Sequence, residues 1–165
     1  MLHLVFHPNL NGSKFNKSFA ETFSSKSGVE FHDIYSLYPD FKIDAQKEQE
    51  KWLNNDEIII QFPIQWYSPT PMVLKYFEVV LAYGFAYGGE FKLEGKKIYI
   101  VTSLGGDRKA YSNGFGLDEI LMPMQKTFEF CKMSLAHSFP FFQAFKVSDQ
   151  VVQNLISDVF EHIKK

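Results

Sequence analysis

The chain holds a single cysteine, Cys131, in 165 residues, so an internal disulfide is excluded. A reducing, cytoplasmic setting is expected, and the opening MLHLVFHP, without the basic lead or long apolar core of a signal peptide, predicts the same. The two signs of charge nearly balance. With 17 basic against 19 acidic side chains there is no basic face for nucleic acid and no polybasic run for anionic lipid. Apolar runs fall short of the roughly 18 continuous residues a membrane span needs, the nearest being the aromatic patch from Phe139 to Phe145. The histidines, His3, His7, His32, His137 and His162, form no HExxH motif and no Cys/His pairing, so no metal site is predicted. Also missing are the GxSxG elbow, the GxxxxGK[ST] phosphate loop and a GxGxxG after the first strand, which removes three common enzyme classes. There is no internal repeat, low-complexity tract or linker, and residues 1–165 read as one domain.

Aromatic residues are abundant: 18 Phe, 8 Tyr and 2 Trp. Most belong in a core, but clusters on proline- or glycine-punctuated loops ask for another explanation. Leu2 to Phe6 is a mostly apolar run suited to a central parallel strand, stopped at His7-Pro8. Ser13 is a plausible N-cap for a helix carrying Phe15, Phe19 and Phe23 on one stripe. Val29 to Ile34 alternates like a strand near the sheet edge, Tyr35 to Ile43 reads as irregular, and Asp44 caps a polar helix from Ala45 to Leu53 with Trp52 and Leu53 facing inward. Ile58 to Ile60 is a buried strand that breaks at Phe62-Pro63. A helix follows from Met72 to Leu81, then an aromatic loop from Tyr83 to Gly89, a strand from Lys97 to Thr102 and a tight turn from Ser103 to Asp107. Leu117 to Cys131 has helical spacing, with Pro123 early in the helix or kinking it and Cys131 on the packing face. Met133 to Phe139 is the last strand, and Val151, Leu155, Val159 and Ile163, with Val152, Ile156 and Phe160 beside them, mark a closing helix.

Five strands alternating with five helices predict an α/β fold, a three-layer sandwich with a parallel sheet covered on both faces. In strand order 2-1-3-4-5 the order reverses between strands one and three, and the loops after the first, third and fourth strands meet over one crevice. That is the flavodoxin-like arrangement, whose usual ligand is flavin mononucleotide (FMN). At the phosphate end, Ser13 and Asn16 lie at a helix start where unpaired N–H groups favour an anion, with His7 adjoining and Lys14 and Lys17 at longer range. Backbone of the proline-stiffened loop Ile64, Gln65, Trp66 and Tyr67 suits the carbonyl edge of a flavin ring, and Gly105-Gly106 allows close backbone approach along the other edge.

The segments HPNLNGSKFN (7–16), LYPDFKIDAQKEQE (37–50), FPIQWYSPTPMVLK (62–75), GFAYGG (84–89) and TSLGG (102–106) resemble those of the flavodoxin-like NAD(P)H:quinone oxidoreductases, most nearly the ancillary flavoproteins of glutathione-regulated potassium efflux. The likeness runs nearly end to end. It implies a homodimer binding FMN, with FAD as the alternative, and passing two electrons by ping-pong from NADH or NADPH to a quinone. It places flavin contacts on His7, on Ser13, Lys14, Phe15 and Asn16, on Ile64, Gln65, Trp66 and Tyr67, and on Thr102, Ser103, Leu104, Gly105 and Gly106. Tyr67 and Tyr111 take catalytic roles by the same likeness, and Phe85 and Tyr87 wall the substrate cavity from the partner subunit. The chain departs from the family twice. Ser103-Leu104 stand where Thr-Thr is usual, so the loop is one residue longer or a threonine hydroxyl is lost; and Leu117 falls where some relatives place a histidine. The family also raises an alternative: a regulatory subunit docked on a potassium efflux antiporter, peripheral at the inner face of the cell membrane. A one-electron shuttle and a flavin-free interaction domain are further rivals.

Overall fold

In the computed structural model, which describes residues 1–163 except 113 and 147, one five-stranded sheet runs through the chain. Its strands are β1 (Leu2–Val5), β2 (Glu30–Asp33), β3 (Glu57–Pro63), β4 (Lys97–Ser103) and β5 (Ser134–Phe141). All pair in parallel in the order β2-β1-β3-β4-β5, as the strand pattern predicts. Six α-helices cover it among the described residues: α1 (Lys14–Ser24), α2 (Ile34–Leu37), α3 (Ala45–Leu53), α4 (Pro71–Val80), α5 (Leu117–Phe130) and α6 (Asp149–Ile163).

Side chains alternate across the sheet, and this sorts the core into two layers. Leu2, Leu4, Ile58, Ile60, Ile98 and Ile100 pack with Trp52 of α3, Tyr76 and Phe77 of α4 and Phe128 of α5. On the opposite face Ile59, Tyr99, Val101, Phe139 and Phe141 meet Phe15, Phe19 and Phe23 of α1 and Val152, Ile156 and Val159 of α6. Both faces of the central strands are buried, so β3 is apolar from Ile58 to Pro63 apart from Gln61.

Several sequence expectations are corrected. The stretch after β2 is not wholly irregular: Asp33 accepts a hydrogen bond from Ser36 N and caps the single turn α2, too short to show a period. In α3 the inward residues are Trp52 and Glu48, whereas Leu53 is 45% exposed. Strand β3 does not break at Phe62-Pro63 but includes both, since Pro63 ends the strand, where a missing N–H costs least. Pro123 lies past the first turn of α5, so the carbonyl of Glu119 lacks its helical donor. In α6 the buried stripe is Val152, Ile156 and Val159, and Val151 faces solvent. No helix among the described residues is long and apolar enough to cross a membrane.

Candidate cofactor cleft

Three loops meet where the strand order reverses. Residues His7, Asn9, Gly12, Ser13, Lys14 and Asn16 after β1, Pro63, Ile64 and Gln65 at and beyond the end of β3, and Ser103, Leu104 and Gly105 at and beyond the end of β4 line one cleft of about 330 Å³, closed by Ala144 and Phe145 from the connection after β5. None of these lining side chains is a carboxylate.

The first loop is held by its own polar groups. Asn9 N donates to His7 Nδ1 at 3.1 Å, which makes Nδ1 the acceptor and leaves the proton on Nε2. Burial lowers the His7 pKa from its ordinary value, against the pull of Asp33, so the ring is a neutral donor near pH 7. Gly12 N donates to Asn9 Oδ1 at 3.1 Å, and the turn delivers Ser13 as the cap of α1. The helical ladder begins at Lys17 N, which donates to the Ser13 carbonyl, and Ser13 Oγ takes Asn16 N at 3.3 Å. The N–H groups of Lys14 and Phe15 therefore have no helical carbonyl to meet. Lys14 itself is ion-paired with Asp149 at 3.0 Å on the surface.

The second loop extends the sheet by one bond, Ile64 N donating to the Ser103 carbonyl at 2.8 Å, and is tied to β1 by Thr70 Oγ1, which donates to the Phe6 carbonyl at 3.1 Å. Between these anchors Gln65 and Ser68 exchange both backbone hydrogen bonds around Trp66 (φ 50°) and Tyr67 (φ 59°). Two consecutive left-handed residues make a type I′ turn, a conformation that favours Asn-Gly and strains bulky side chains. The strain keeps both rings outside the core: Trp66 is 95% exposed, and Tyr67 lies 6.1 Å from Tyr111 and 6.5 Å from Phe115 between ring centroids.

The third loop needs its glycines for its own aromatics. A Cβ on Gly105 would meet the Phe145 ring at 2.9 Å, and one on Gly106 would meet the Tyr111 ring at 3.1 Å. Leu104 is buried, its N–H bonded to the Phe141 carbonyl and its carbonyl to Ala144 N. The Leu104 side chain thus packs inward, while the Ser103 hydroxyl accepts from Asn16 Nδ2 at 2.9 Å.

The structure thus brings His7, Ser13, Lys14, Asn16, Ile64, Gln65, Ser103, Leu104 and Gly105 together. Others fall elsewhere. The Phe15 ring stacks on Phe141 at 4.1 Å inside the core, leaving only its backbone to the cleft. Thr102 is buried with its hydroxyl committed to the Phe62 carbonyl at 2.9 Å. Trp66, Tyr67 and Gly106 do not line the cleft but stand beside it with Tyr111, which packs against Phe142. Phe85, 7% exposed and packed in the α4/α5 layer, cannot offer its ring at a surface; Tyr87 leans on Phe130. In that loop the exposed ring is Tyr83. The sequence pattern does not single out Asn9, Gly12, Pro63, Ala144 and Phe145 as cleft residues; the aromatic patch ending at Phe145 is the available signal for the last. Among the described residues no group of three or more His, Cys, Asp or Glu side chains is placed to hold a metal, and Cys131 is buried, with its thiol pKa raised by that burial.

Comparison with known proteins agrees with this geometry. The model of a family described as having a flavodoxin-like fold matches residues 1–163. A Bacillus subtilis protein named as an uncharacterized NAD(P)H oxidoreductase, YdeQ, is 35% identical over 98% of this chain and 85% of its own. Among solved structures, the general stress protein 14 of Treponema denticola in complex with FMN is 27% identical, covering 99% of this chain and 95% of its own, at a TM-score of 0.83. A structure described as a thermophilic tryptophan halogenase from Streptomycin violaceusniger superposes at a TM-score of 0.93 with 35% identity over 100% of this chain and 99% of its own, so proteins of differently named activity share this fold. With the family model spanning the chain, the sheet order 2-1-3-4-5 and the cleft at its switch point, the chain belongs to the flavodoxin-like family that includes NAD(P)H oxidoreductases and quinone reductases.

Proposed function

We propose that this chain is an FMN-dependent NAD(P)H oxidoreductase that delivers two electrons to a quinone-like acceptor and works as a homodimer. The observation that carries the reading is the chemistry of the cleft. One end offers hydroxyl, imidazole and backbone donors with no lining carboxylate, which suits a phosphate, and backbone of Ile64 and Gln65 lies along the floor for a planar ring. When bound, the flavin supplies the hydride-accepting and electron-donating chemistry. The chain's own work is to bind and orient. His7, as a neutral Nε2–H donor, and the free N–H groups of Lys14 and Phe15 hold the anion, and the Ile64–Gln65 backbone sets the plane of the ring. Trp66, Tyr67, Tyr111 and Phe115 form an aromatic rim against which a flat substrate can stack and from which water is displaced. Trp66, Tyr83 and Phe115 are exposed aromatic rings that a second copy could cover. The similarity to an FMN-bound relative and to proteins named NAD(P)H oxidoreductase and quinone reductase supports the same reading.

The test is steady-state oxidation of NADH and NADPH by the FMN-loaded protein, with and without a benzoquinone. Consumption that depends on the quinone and saturates with it is expected. NAD(P)H loss no faster than with free FMN would remove the enzymatic reading.

A further inference from the structure

A chain of buried polar groups runs from the middle of the sheet to the rim of the cleft. Gln61, on β3, is fully buried, as is His3 on β1. Gln61 Nε2 donates to the Asn16 carbonyl at 2.9 Å and to Asn16 Oδ1 at 3.1 Å. A carbonyl can only accept, so this bond fixes which end of the Gln61 amide faces α1. Gln61 Oε1 therefore faces His3 Nε2 at 2.9 Å, and Nε2 must carry the proton. With Oδ1 of Asn16 turned to Gln61, its Nδ2 is turned the other way, where it donates to Ser13 Oγ at 3.0 Å and to Ser103 Oγ at 2.9 Å.

The consequence lies in the two hydroxyls. Ser13 Oγ accepts from both Asn16 N and Asn16 Nδ2, which uses its lone pairs. Ser103 Oγ accepts from the same amide nitrogen. Each hydroxyl hydrogen is left to donate, and both serines line the cleft, on separate elements of the fold. We propose that Gln61, anchored by His3, is a positioning residue that holds the Asn16 amide in one orientation and thereby forces Ser13 and Ser103 to act as paired hydrogen-bond donors to an acceptor-only group, the phosphate monoester of the bound nucleotide. This rests on the reading of the cleft as an FMN site. It also gives the serine in the TSLGG turn a role, since Asn16 orients its hydroxyl. Without the His3–Gln61 pair the Asn16 amide is free to reverse, and the serines would then donate to Asn16 Oδ1 instead of to the ligand.

The experiment compares affinity for FMN with affinity for riboflavin, which shares the ring and ribityl chain but lacks the phosphate, by flavin fluorescence quenching. The wild-type chain is expected to prefer FMN. Gln61→Met and Ser103→Ala are each expected to shrink that preference roughly tenfold, the worth of about one hydrogen bond to a charged group, with the riboflavin Kd unchanged. The double variant His3→Leu/Gln61→Met leaves no orphaned imidazole N–H and recovers thermal stability relative to Gln61→Met, while the preference stays reduced. Loss of both flavins by the same factor, or an unaltered preference in the Gln61 variants, overturns the relay and leaves the flavin reading standing. Ser103→Ala, which keeps Gln61 and His3, gives the same readout where a core variant fails to fold, and an unaltered preference there overturns it too. A wild-type chain that binds neither flavin overturns the reading of the cleft, and the phosphate role of the relay with it.

Discussion

The hydroxyl of Tyr76 donates to the Glu48 carboxylate at 2.7 Å in a region that solvent does not reach. The other carboxylate oxygen takes Tyr38 OH at 2.7 Å and the Lys51 ammonium, and Trp52 Nε1 donates to Tyr76 OH at 3.1 Å. Burial and the neighbouring carboxylate push both tyrosine pKa values up, so both phenols remain donors throughout the pH range of the fold. The network joins α3 to α4, the helix that follows the Trp66–Tyr67 turn. A buried charge of this kind depends on its full set of donors.

Tyr76→Phe should therefore destabilise the protein by about 2 to 4 kcal/mol, because it leaves one carboxylate oxygen and the Trp52 N–H unpaired. Urea denaturation should show a lower midpoint at unchanged slope. A loss under about 0.5 kcal/mol, the range of an ordinary surface change, would mean that the carboxylate is not held as described.

Acid should weaken the fold through His3. Burial lowers its pKa from 6.5 to about 4, despite the bond to Gln61, and Nδ1 faces no partner among the rings of Phe19, Phe23 and Phe31. Above pH 6.5 neither state binds the proton. Between 6.5 and about 4 the unfolded chain binds it and the folded chain does not, so stability falls as pH falls, by on the order of 3 kcal/mol across the window. The shifts of His7 and His137, also downward, act with the same sign. His3→Phe should flatten most of this slope in denaturation series run from pH 7 to pH 4.5; an unchanged slope would assign it to other groups.

At the Trp66–Tyr67 turn, stability and function should oppose each other. Replacing Trp66 by Asn and Tyr67 by Gly supplies the residues a type I′ turn prefers and should stabilise the fold by about 1 to 3 kcal/mol. The same change removes the exposed rings beside the cleft, so NAD(P)H turnover should drop while FMN affinity, carried by the residues that line the cleft, changes little. A variant that gains stability and keeps full turnover would separate the strain from the proposed chemistry.

Much of this architecture could be read from residue order because local pattern and tertiary fate coincide. Phe15, Phe19 and Phe23 repeat every four residues and form one buried stripe; Ile58 to Ile60 lie between two covered faces and form an apolar run. The elements that were misread are those whose fate is set by distant partners. Glu48 sits in a polar helix and looks solvated until Tyr38 and Tyr76 arrive from other elements. Gln61 and His3 interrupt apolar strands with no local hint that each satisfies the other. At the cleft, the first-loop turn formers and the proline-rich third-strand loop were visible, while Ala144 and Phe145 enter only through the sheet register that brings β5 alongside β4.

Phe15 distinguishes a cleft side chain from a core one. Phe15→Ala should cost about 3 to 5 kcal/mol, the range for a buried ring, since its ring stacks on Phe141 within the α1/α6 layer. A small loss of stability together with a large loss of FMN affinity would place the ring in the cleft instead.

The central claim is that loops from three separate parts of the chain hold one flavin nucleotide at the switch point of the sheet. Titration of isotopically labelled protein with FMN, followed by amide chemical shifts, tests it most directly. The account predicts saturation at one FMN per chain with the largest shifts at residues 7–16, 64–65 and 103–105. Shifts scattered over the surface, or none at saturating FMN, would contradict it.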